Sequence, residues 1–157
     1  HLLDDPKQQE KMLANRRISG KYKWSDGKEF TYTGKYELNL MKFLDDVLEF
    51  DSSEVIAPGP ILEYTFGGKT RHWITDFLLL PYNLIIEVKD GGKNPNTRTM
   101  TEYRAKQIAK EKMITNMGEY NYLRLTDNDF SQLFTMLAEL KMQVVEDKVT
   151  PISRINK

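Results

Sequence analysis

The pattern of apolar and polar positions divides the chain into short strands and longer helical segments. Apolar side chains that recur every three or four residues are typical of a helix with one buried face. Acidic residues followed by proline are typical of a helix start. These signals predict helices over 6–16, 35–50, 99–118 and about 128–142.

Apolar runs between these helices predict strands. The dipeptides Asp26-Gly27 and Gly67-Gly68 are typical of tight hairpin turns, and Pro81-Tyr82-Asn83 joins two further apolar runs. The predicted strands fall within 20–34, at 54–57 and 61–66, on either side of 81–83, and at 120–125.

The order of these elements favours a single α/β fold. From residue 35 onward a helix is followed by three strands, a helix, a strand and a helix, which predicts a mixed central sheet flanked by helices. We therefore expect an N-terminal helix and hairpin extension over 1–34, a core over 35–142 and a C-terminal extension over 143–157.

Charged residues lie where buried strands should have none. Asp76 belongs to one apolar strand, and Glu87 and Lys89 end the next. Residues two apart on a strand share a face, so Glu87 and Lys89 should lie about 6.5 Å apart on one side, with Ile86 and Val88 on the other. Antiparallel pairing can bring Asp76 beside Glu87.

Two carboxylates and one ammonium on the same patch of sheet need a counter-charge. Buried charges are paired or bound to metal, and a salt bridge between Glu87 and Lys89 is the simplest arrangement. One lysine cannot neutralise two carboxylates at short range, whereas a divalent cation can. Carboxylate oxygens suit Mg²⁺ or Mn²⁺, so the pattern indicates a metal site.

The segment Ile74-Thr75-Asp76, followed by Glu87-Val88-Lys89 at the end of an apolar strand, resembles the signature of the PD-(D/E)XK nucleases, the restriction-endonuclease-like superfamily. Thr75 departs from the pattern, because the family often has proline there. The resemblance implies a restriction-endonuclease-like core that hydrolyses phosphodiester bonds in double-stranded DNA. Within the superfamily the chain looks most like the very-short-patch-repair and phage homing-type branch, although the His-bearing motif of the homing enzymes is missing.

The resemblance also implies a role for each site residue. Lys89 would position or activate the attacking water, and Gln107 matches a polar residue that relatives often carry into the site from the following helix. The groups that would hold one or two Mg²⁺ or Mn²⁺ ions are Asp76, Glu87, Glu37 and the carbonyl of Val88.

Glu37 lies at the head of the apolar stripe of the predicted helix 35–50. In the nuclease superfamily a glutamate from the first core helix often completes the metal site. The alternative is a first-turn glutamate that the helix dipole favours. Glu63 is a second candidate for this upstream carboxylate.

Basic residues near the presumed site are candidates for contacts with DNA phosphates. Lys93 and Arg98 lie in the polar loop that follows the Glu-Val-Lys strand. Arg104, Lys106 and Lys110 lie on the predicted helix 99–118. The alternative is an ordinary solvated loop and a solvated helix face.

Composition limits the classes of function. The 157 residues include 23 basic and 23 acidic side chains, so any contact with nucleic acid depends on local segregation of charge. The chain contains no cysteine and no apolar run long enough to span a membrane. We expect no membrane partner and a place in the cytoplasm of a bacterial or phage-infected cell.

The same residues are compatible with other functions and assemblies. Because the same metal chemistry cuts RNA, an RNA endonuclease is one alternative; a catalytically silent module that binds nucleic acid is another. The first residue is His1, which suggests part of a larger polypeptide or complex, and a homodimer is also compatible. The nuclease interpretation requires that Asp76 and Glu87 meet on one face of the sheet.

Overall fold

The computed structural model describes residues 2–90 and 100–149. The helices are α1 (Pro6–Ala14), α2 (Lys35–Lys42), α3 (Met100–Met117) and α4 (Ser131–Val149). The strands are β1 (Gly20–Lys23), β2 (Glu29–Tyr32), β3 (Val55–Ile56), β4 (Ile61–Phe66), β5 (Lys69–Ile74), β6 (Phe77–Leu79), β7 (Leu84–Lys89) and β8 (Asn121–Thr126).

A four-stranded mixed sheet with the strand order β3-β6-β7-β8 forms the centre of the fold. The first three strands are antiparallel neighbours, and β8 runs parallel to β7. Parallel neighbours need a long crossover connection, and α3 provides it. The predicted class, a mixed sheet flanked by helices, is confirmed.

Each face of the central sheet packs against different elements. On one face a buried cluster joins the sheet to the β1–β2 hairpin, α2 and α4 through Trp24, Phe30, Leu40, Phe77, Ile86 and Leu133. On the other face a second cluster joins it to the β4–β5 hairpin and α3 through Leu62, Trp73, Leu78, Ile85 and Ile114. Since alternate strand residues share a face, Glu87 lies on the side of Ile85 and therefore faces α3.

The helix after the first hairpin departs from the predicted span of 35–50. It is α-helical to Lys42 and continues as a π-helical turn over Phe43–Val47. A π-helical turn holds more residues than an α-helical one and rotates the side chains that follow it. Val47, the last residue of this turn, is 57% exposed.

Apolar side chains on two later helices are also exposed. Ile108 is 64% exposed because the neighbouring Gln107, and not Ile108, faces the sheet. Phe134 is 51% exposed and packs edge-on against the ring of Phe43, with the ring centroids 5.4 Å apart. The last helix, α4, begins later than predicted and continues to Val149, past the predicted end at 142.

The π-helical turn places the buried carboxylate of Asp45 against the β1–β2 hairpin. Asp45 is 5% exposed. Its Oδ2 accepts hydrogen bonds from the hydroxyl of Tyr22 at 2.7 Å and the backbone N–H of Ser25 at 3.0 Å, and its Oδ1 accepts one from the Ser25 hydroxyl at 2.6 Å. The hairpin is thereby attached to the helix that carries Glu37.

Replacing Asp45 with Ala is expected to lower the free energy of unfolding by about 2–4 kcal/mol, because three donors lose their charged acceptor. Urea denaturation measures this change. The adjacent Asp46 is exposed, and Asp46→Ala should change stability by less than about 0.5 kcal/mol. Equal losses in the two variants would contradict the structural role of Asp45.

The stabilisation by Asp45 should depend on pH. Burial raises the pKa of Asp45, but hydrogen bonds from Ser25 and Tyr22 outweigh it and hold the pKa below its usual value. A carboxyl group whose pKa is lower in the folded state stabilises the protein above its unfolded pKa and loses that effect as the pH falls through the folded one. The stability difference between the wild type and Asp45→Ala should therefore shrink on acidification.

Within residues 2–90 and 100–149, no helix combines the length and the apolar composition that a membrane crossing requires.

Candidate active site

Asp76 and Glu87 meet on the α3 side of the central sheet, as the sequence predicts. The backbone N–H of Asp76 donates to Glu87 Oε2 at 3.2 Å, and the backbone N–H of Val88 donates to Asp76 Oδ2 at 2.9 Å. Asp76 lies just before β6 rather than inside a strand. The next residue, Phe77, pairs with Ile86 in the antiparallel register, which brings Asp76 opposite Glu87.

Thr75 fixes the backbone that carries Asp76. The N–H and the hydroxyl of Thr75 both donate to the carbonyl of Pro60, at 3.2 and 2.7 Å, and its own carbonyl accepts from the N–H of Gly59 at 2.8 Å. A Cβ on Gly59 would lie 2.3 Å from the Thr75 hydroxyl oxygen, so only glycine fits there. Proline at position 75 would lack the N–H donor, which gives a physical reason why Thr75 departs from the PD-(D/E)XK pattern that the segment resembles.

Glu87 is a buried carboxylate with an unused acceptor. The residue is 1% exposed, and Oε1 has no hydrogen-bond partner among the described residues. Burial, followed by the negative charge of Asp76, raises the pKa of Glu87 well above its usual value, against the opposing effect of Lys89 and Lys110. A cation placed between the two carboxylates would relieve both effects.

Two lysines, rather than the single one that the sequence predicts, act on the carboxylate pair. The Lys89 ammonium lies 5.8 Å from the centre of the Tyr103 ring. Burial alone would lower the pKa of Lys89, but Glu87, Tyr103 and Asp76 raise it. Lys110 of α3 packs over Trp73 at 5.3 Å; burial and the charge of Lys89 lower its pKa.

The sequence predicts that Lys110 contacts DNA, and the structure places it close enough to the carboxylate pair for Glu87 and Asp76 to influence its pKa. The helical spacing of Tyr103, Gln107, Lys110 and Ile114 could have indicated this position, since residues three or four apart share a face. Ile114 is buried against the sheet, so the same face carries Lys110 to the site.

Glu37 lies near Asp76, but among the described residues no hydrogen bond connects its carboxylate to Asp76 or Glu87. Its Oε1 accepts from the backbone N–H of Thr33 at 3.1 Å and from Arg16 Nη2 at 3.4 Å. Burial and the charge of Asp76 raise the pKa of Glu37 to about 7, although Thr33 and Arg16 act in the opposite direction. Because α2 packs on the other face of the sheet, Glu37 approaches Asp76 only around the end of the strands.

A cavity of about 180 Å³ lies at this end of the sheet. The residues that line it include Arg16, Thr33, Glu37 and Asp76. The sequence does not predict the participation of Arg16. This residue comes from the connection between α1 and β1, which no local sequence pattern links to residue 37.

The other upstream candidate, Glu63, lies on the β4–β5 hairpin. Its Oε1 is 3.0 Å from Nε2 of His72, the residue that faces it across the hairpin. Both side chains project from one face of the hairpin, and Tyr64 projects from the other face. Glu63 is therefore on the opposite face of the hairpin from Leu62 and Tyr64, the residues of β4 that pack in the cluster with α3.

Gln107 is 4% exposed and lies on the sheet-facing side of α3, as predicted. Its Nε2 donates to Glu111 Oε1 and to the hydroxyl of Tyr122, both at 3.1 Å. Arg124 Nε lies 3.4 Å from the same Glu111 oxygen. The side chain thus belongs to a hydrogen-bonded network beside the carboxylate pair.

The remaining predicted DNA contacts differ in their placement. Arg104 is exposed. Lys106 forms an ion pair with Glu102 at 3.3 Å. Lys93 and Arg98 lie outside the described residues.

The donor groups at the pair fit a hard divalent cation. Asp76, the Glu87 oxygen that has no partner among the described residues, and the Val88 carbonyl all offer oxygen donors, the type that Mg²⁺ and Mn²⁺ prefer, and Mg²⁺ often binds through only one or two carboxylates. Among the residues that the structure describes, no three His, Cys, Asp or Glu side chains form a group that could hold a metal. The fit therefore depends on two carboxylates and not on a triad with Glu37.

Comparisons of the chain with protein-family models, with curated proteins and with solved structures found no match.

Proposed function

We propose that this protein is a metal-dependent endonuclease that hydrolyses phosphodiester bonds in double-stranded DNA, in the cytoplasm of a bacterial or phage-infected cell. The observation that carries the proposal is the meeting of half-buried Asp76 with buried Glu87, with an unpartnered carboxylate oxygen among the described residues and Lys89 on the same face of the sheet. Such a pair is costly to bury without a bound cation.

The fold supports a place in the PD-(D/E)XK superfamily, with a restriction-endonuclease-like core. The helix α2, the antiparallel strands β3, β6 and β7, the crossover helix α3, the parallel strand β8 and α4 follow one another in the order expected from the resemblance. The β4–β5 hairpin is inserted between β3 and β6, directly before Asp76.

Each residue of the site would have a separate role. Asp76, Glu87 and the Val88 carbonyl would hold Mg²⁺ or Mn²⁺, which when bound lowers the pKa of a water molecule and polarises the phosphate. Lys89 would donate hydrogen bonds to the attacking water or to a phosphate oxygen. Gln107, through Tyr122 and Glu111, keeps the α3 side of the site in position.

A cleavage assay tests the proposal. Supercoiled plasmid, single-stranded DNA and RNA are each incubated with the protein in Mg²⁺, in Mn²⁺ and in EDTA. We expect nicked or linear plasmid with either metal and none in EDTA. Cleavage of RNA alone would support the RNA endonuclease instead. Binding without cleavage would support the silent module.

A metal titration supplies a readout that does not depend on activity. If the folded state alone binds Mn²⁺, a concentration 100 times the dissociation constant should stabilise the protein by about 2.7 kcal/mol. Thermal unfolding with Mn²⁺ and with EDTA measures the shift. The same midpoint in both conditions would contradict the metal site.

A further inference from the structure

The β4–β5 hairpin and α3 share a surface on which cations lie against aromatic rings. The Arg71 guanidinium lies 5.6 Å and the Lys106 ammonium 5.8 Å from the centre of the Phe66 ring. Nearer the carboxylate pair, the ammonium of Lys110 lies 5.6 Å from the Tyr64 ring. We define the hairpin–helix surface as Tyr64, Phe66, Lys69, Arg71, Lys106 and Lys110.

The strand register explains why the hairpin's cations share one face. Tyr64 pairs with Arg71 and Phe66 pairs with Lys69, and directly opposed residues of an antiparallel pair project from the same face. The hairpin turn, Gly67-Gly68, and Lys69 are exposed. Both basic side chains of the hairpin are therefore presented near its exposed end, beside the first half of α3.

The nearby acidic groups do not neutralise the positive charge of the hairpin–helix surface. The hairpin's own carboxylate, Glu63, is held by His72 on the opposite face. On α3, Glu102 offsets the charge of Lys106. Arg71 Nε donates to the Phe66 carbonyl at 3.5 Å. Among the described residues, no carboxylate forms an ion pair with Arg71. Its terminal amino groups can thus bind an anion without first breaking an ion pair.

The surface is continuous with the candidate active site. Strand β5 ends at Ile74, and Asp76 follows one residue later. Lys110 is an electrostatic neighbour of both Asp76 and Glu87. A linear anion bound along the hairpin–helix surface would therefore pass over the carboxylate pair.

We propose that the hairpin–helix surface binds the phosphate backbone of DNA on one side of the bond that is cut. The inference rests on the proposed function and adds the surface that holds the substrate. Arg and Lys bind phosphate oxygens through charge-assisted hydrogen bonds, and rings beneath the cations hold them in place. Basic and acidic residues balance over the whole chain. A polyanion is therefore attracted by a local concentration of positive charge such as the hairpin–helix surface, and not by the net charge.

Equilibrium binding of a labelled DNA duplex in EDTA, measured by fluorescence anisotropy, tests the surface without cleavage. The double variant Lys69→Ala/Arg71→Ala should bind about tenfold or more weakly, and the slope of log affinity against log salt should fall by about 0.9 for each phosphate that the variant no longer neutralises. The matched control is Lys42→Ala/Lys141→Ala, which removes two exposed lysines from helices on the other face of the sheet. The control should bind like the wild type.

Equal decreases of affinity in the two double variants would overturn the proposal, because binding would then follow total charge. Absence of duplex binding by the wild type, or competition by polyglutamate as effective as that by DNA, would overturn it as well. Circular dichroism melting verifies that both variants are folded.

The plasmid assay separates this inference from the proposed function. If the hairpin variant binds and cuts like the wild type, only the surface assignment fails. If the chain binds DNA through the hairpin but does not cut it with any metal, the surface assignment holds and the nuclease assignment fails.

Discussion

The variant Glu87→Gln is expected to lose metal-dependent cleavage and, in EDTA, to be at least as stable as the wild type. The loss of a metal ligand removes several kcal/mol of transition-state stabilisation, which corresponds to a decrease in rate of about 10³-fold or more. Stability is retained because glutamine preserves the shape of the side chain and the oxygen that accepts from the Asp76 N–H. It also removes a buried negative charge beside another carboxylate.

Thermal unfolding and plasmid cleavage together test this prediction. In the wild type, Mn²⁺ should raise the unfolding midpoint, and in Glu87→Gln the increase should be absent. The control is Glu29→Gln, a surface glutamate paired with Lys21, which should keep both the increase and the cleavage. If Glu87→Gln cuts DNA at the wild-type rate, or gains the same stability from Mn²⁺, Glu87 is not a metal ligand.

The carboxylate pair could be predicted from the sequence because its geometry is local. Glu87 and Lys89 lie on one strand, and the period of two residues determines their common face. Asp76 is connected to that strand by a short hairpin, so the pairing follows from the turn at 81–83. No contact between distant segments is needed to bring these three residues together.

The environment of Glu37 could not be predicted, because it depends on tertiary packing. The period of three to four residues correctly places Glu37 at the head of a buried helix face, but it does not indicate which face of the sheet that helix covers. Its partner, Arg16, lies in a connection with no periodic pattern. The ion pair between them, 3.4 Å long, depends on the position of the β1–β2 hairpin.

The first hairpin shows the same limit. The sequence predicts its two strands and its Asp-Gly turn, and the structure places β1 and β2 accordingly. The buried rings of Trp24 and Phe30 belong to the same cluster as α2 and the central sheet. The sequence predicts the segment 1–34 as an extension, yet its aromatic side chains are part of the core that supports the candidate site.

The β4–β5 hairpin connects the proposed hairpin–helix surface to the candidate site through the backbone. The hydrogen bonds of Thr75 to the Pro60 carbonyl tie the two ends of the hairpin together at its base. Asp76 follows that anchor immediately. A substrate bound to the proposed hairpin–helix surface would therefore contact the element that leads directly into the backbone of one of the two carboxylates.

Lys89→Ala is expected to lower the rate of cleavage by about 10²- to 10⁴-fold, the range for loss of a group that positions or transfers a proton, while metal binding is retained. Lys89 lies on the same face as Glu87, and its positive charge opposes the rise in the pKa of that carboxyl group. Without this charge the carboxylate pair has a greater need for a cation, so the stabilisation by Mn²⁺ should be at least as large as in the wild type.

The decisive measurement for Lys89 is the rate at saturating DNA, compared with the Mn²⁺-induced shift of the unfolding midpoint. Lys89→Met keeps an unbranched side chain without the charge and should be as inactive as Lys89→Ala, which shows that the ammonium and not the packing is required. Lys42→Ala, on the opposite face of the sheet, should cut normally. Because a ligand defect would remove the Mn²⁺ shift as well as the activity, only loss of cleavage with a retained shift assigns Lys89 to the chemical step. Normal cleavage by Lys89→Ala would exclude that role.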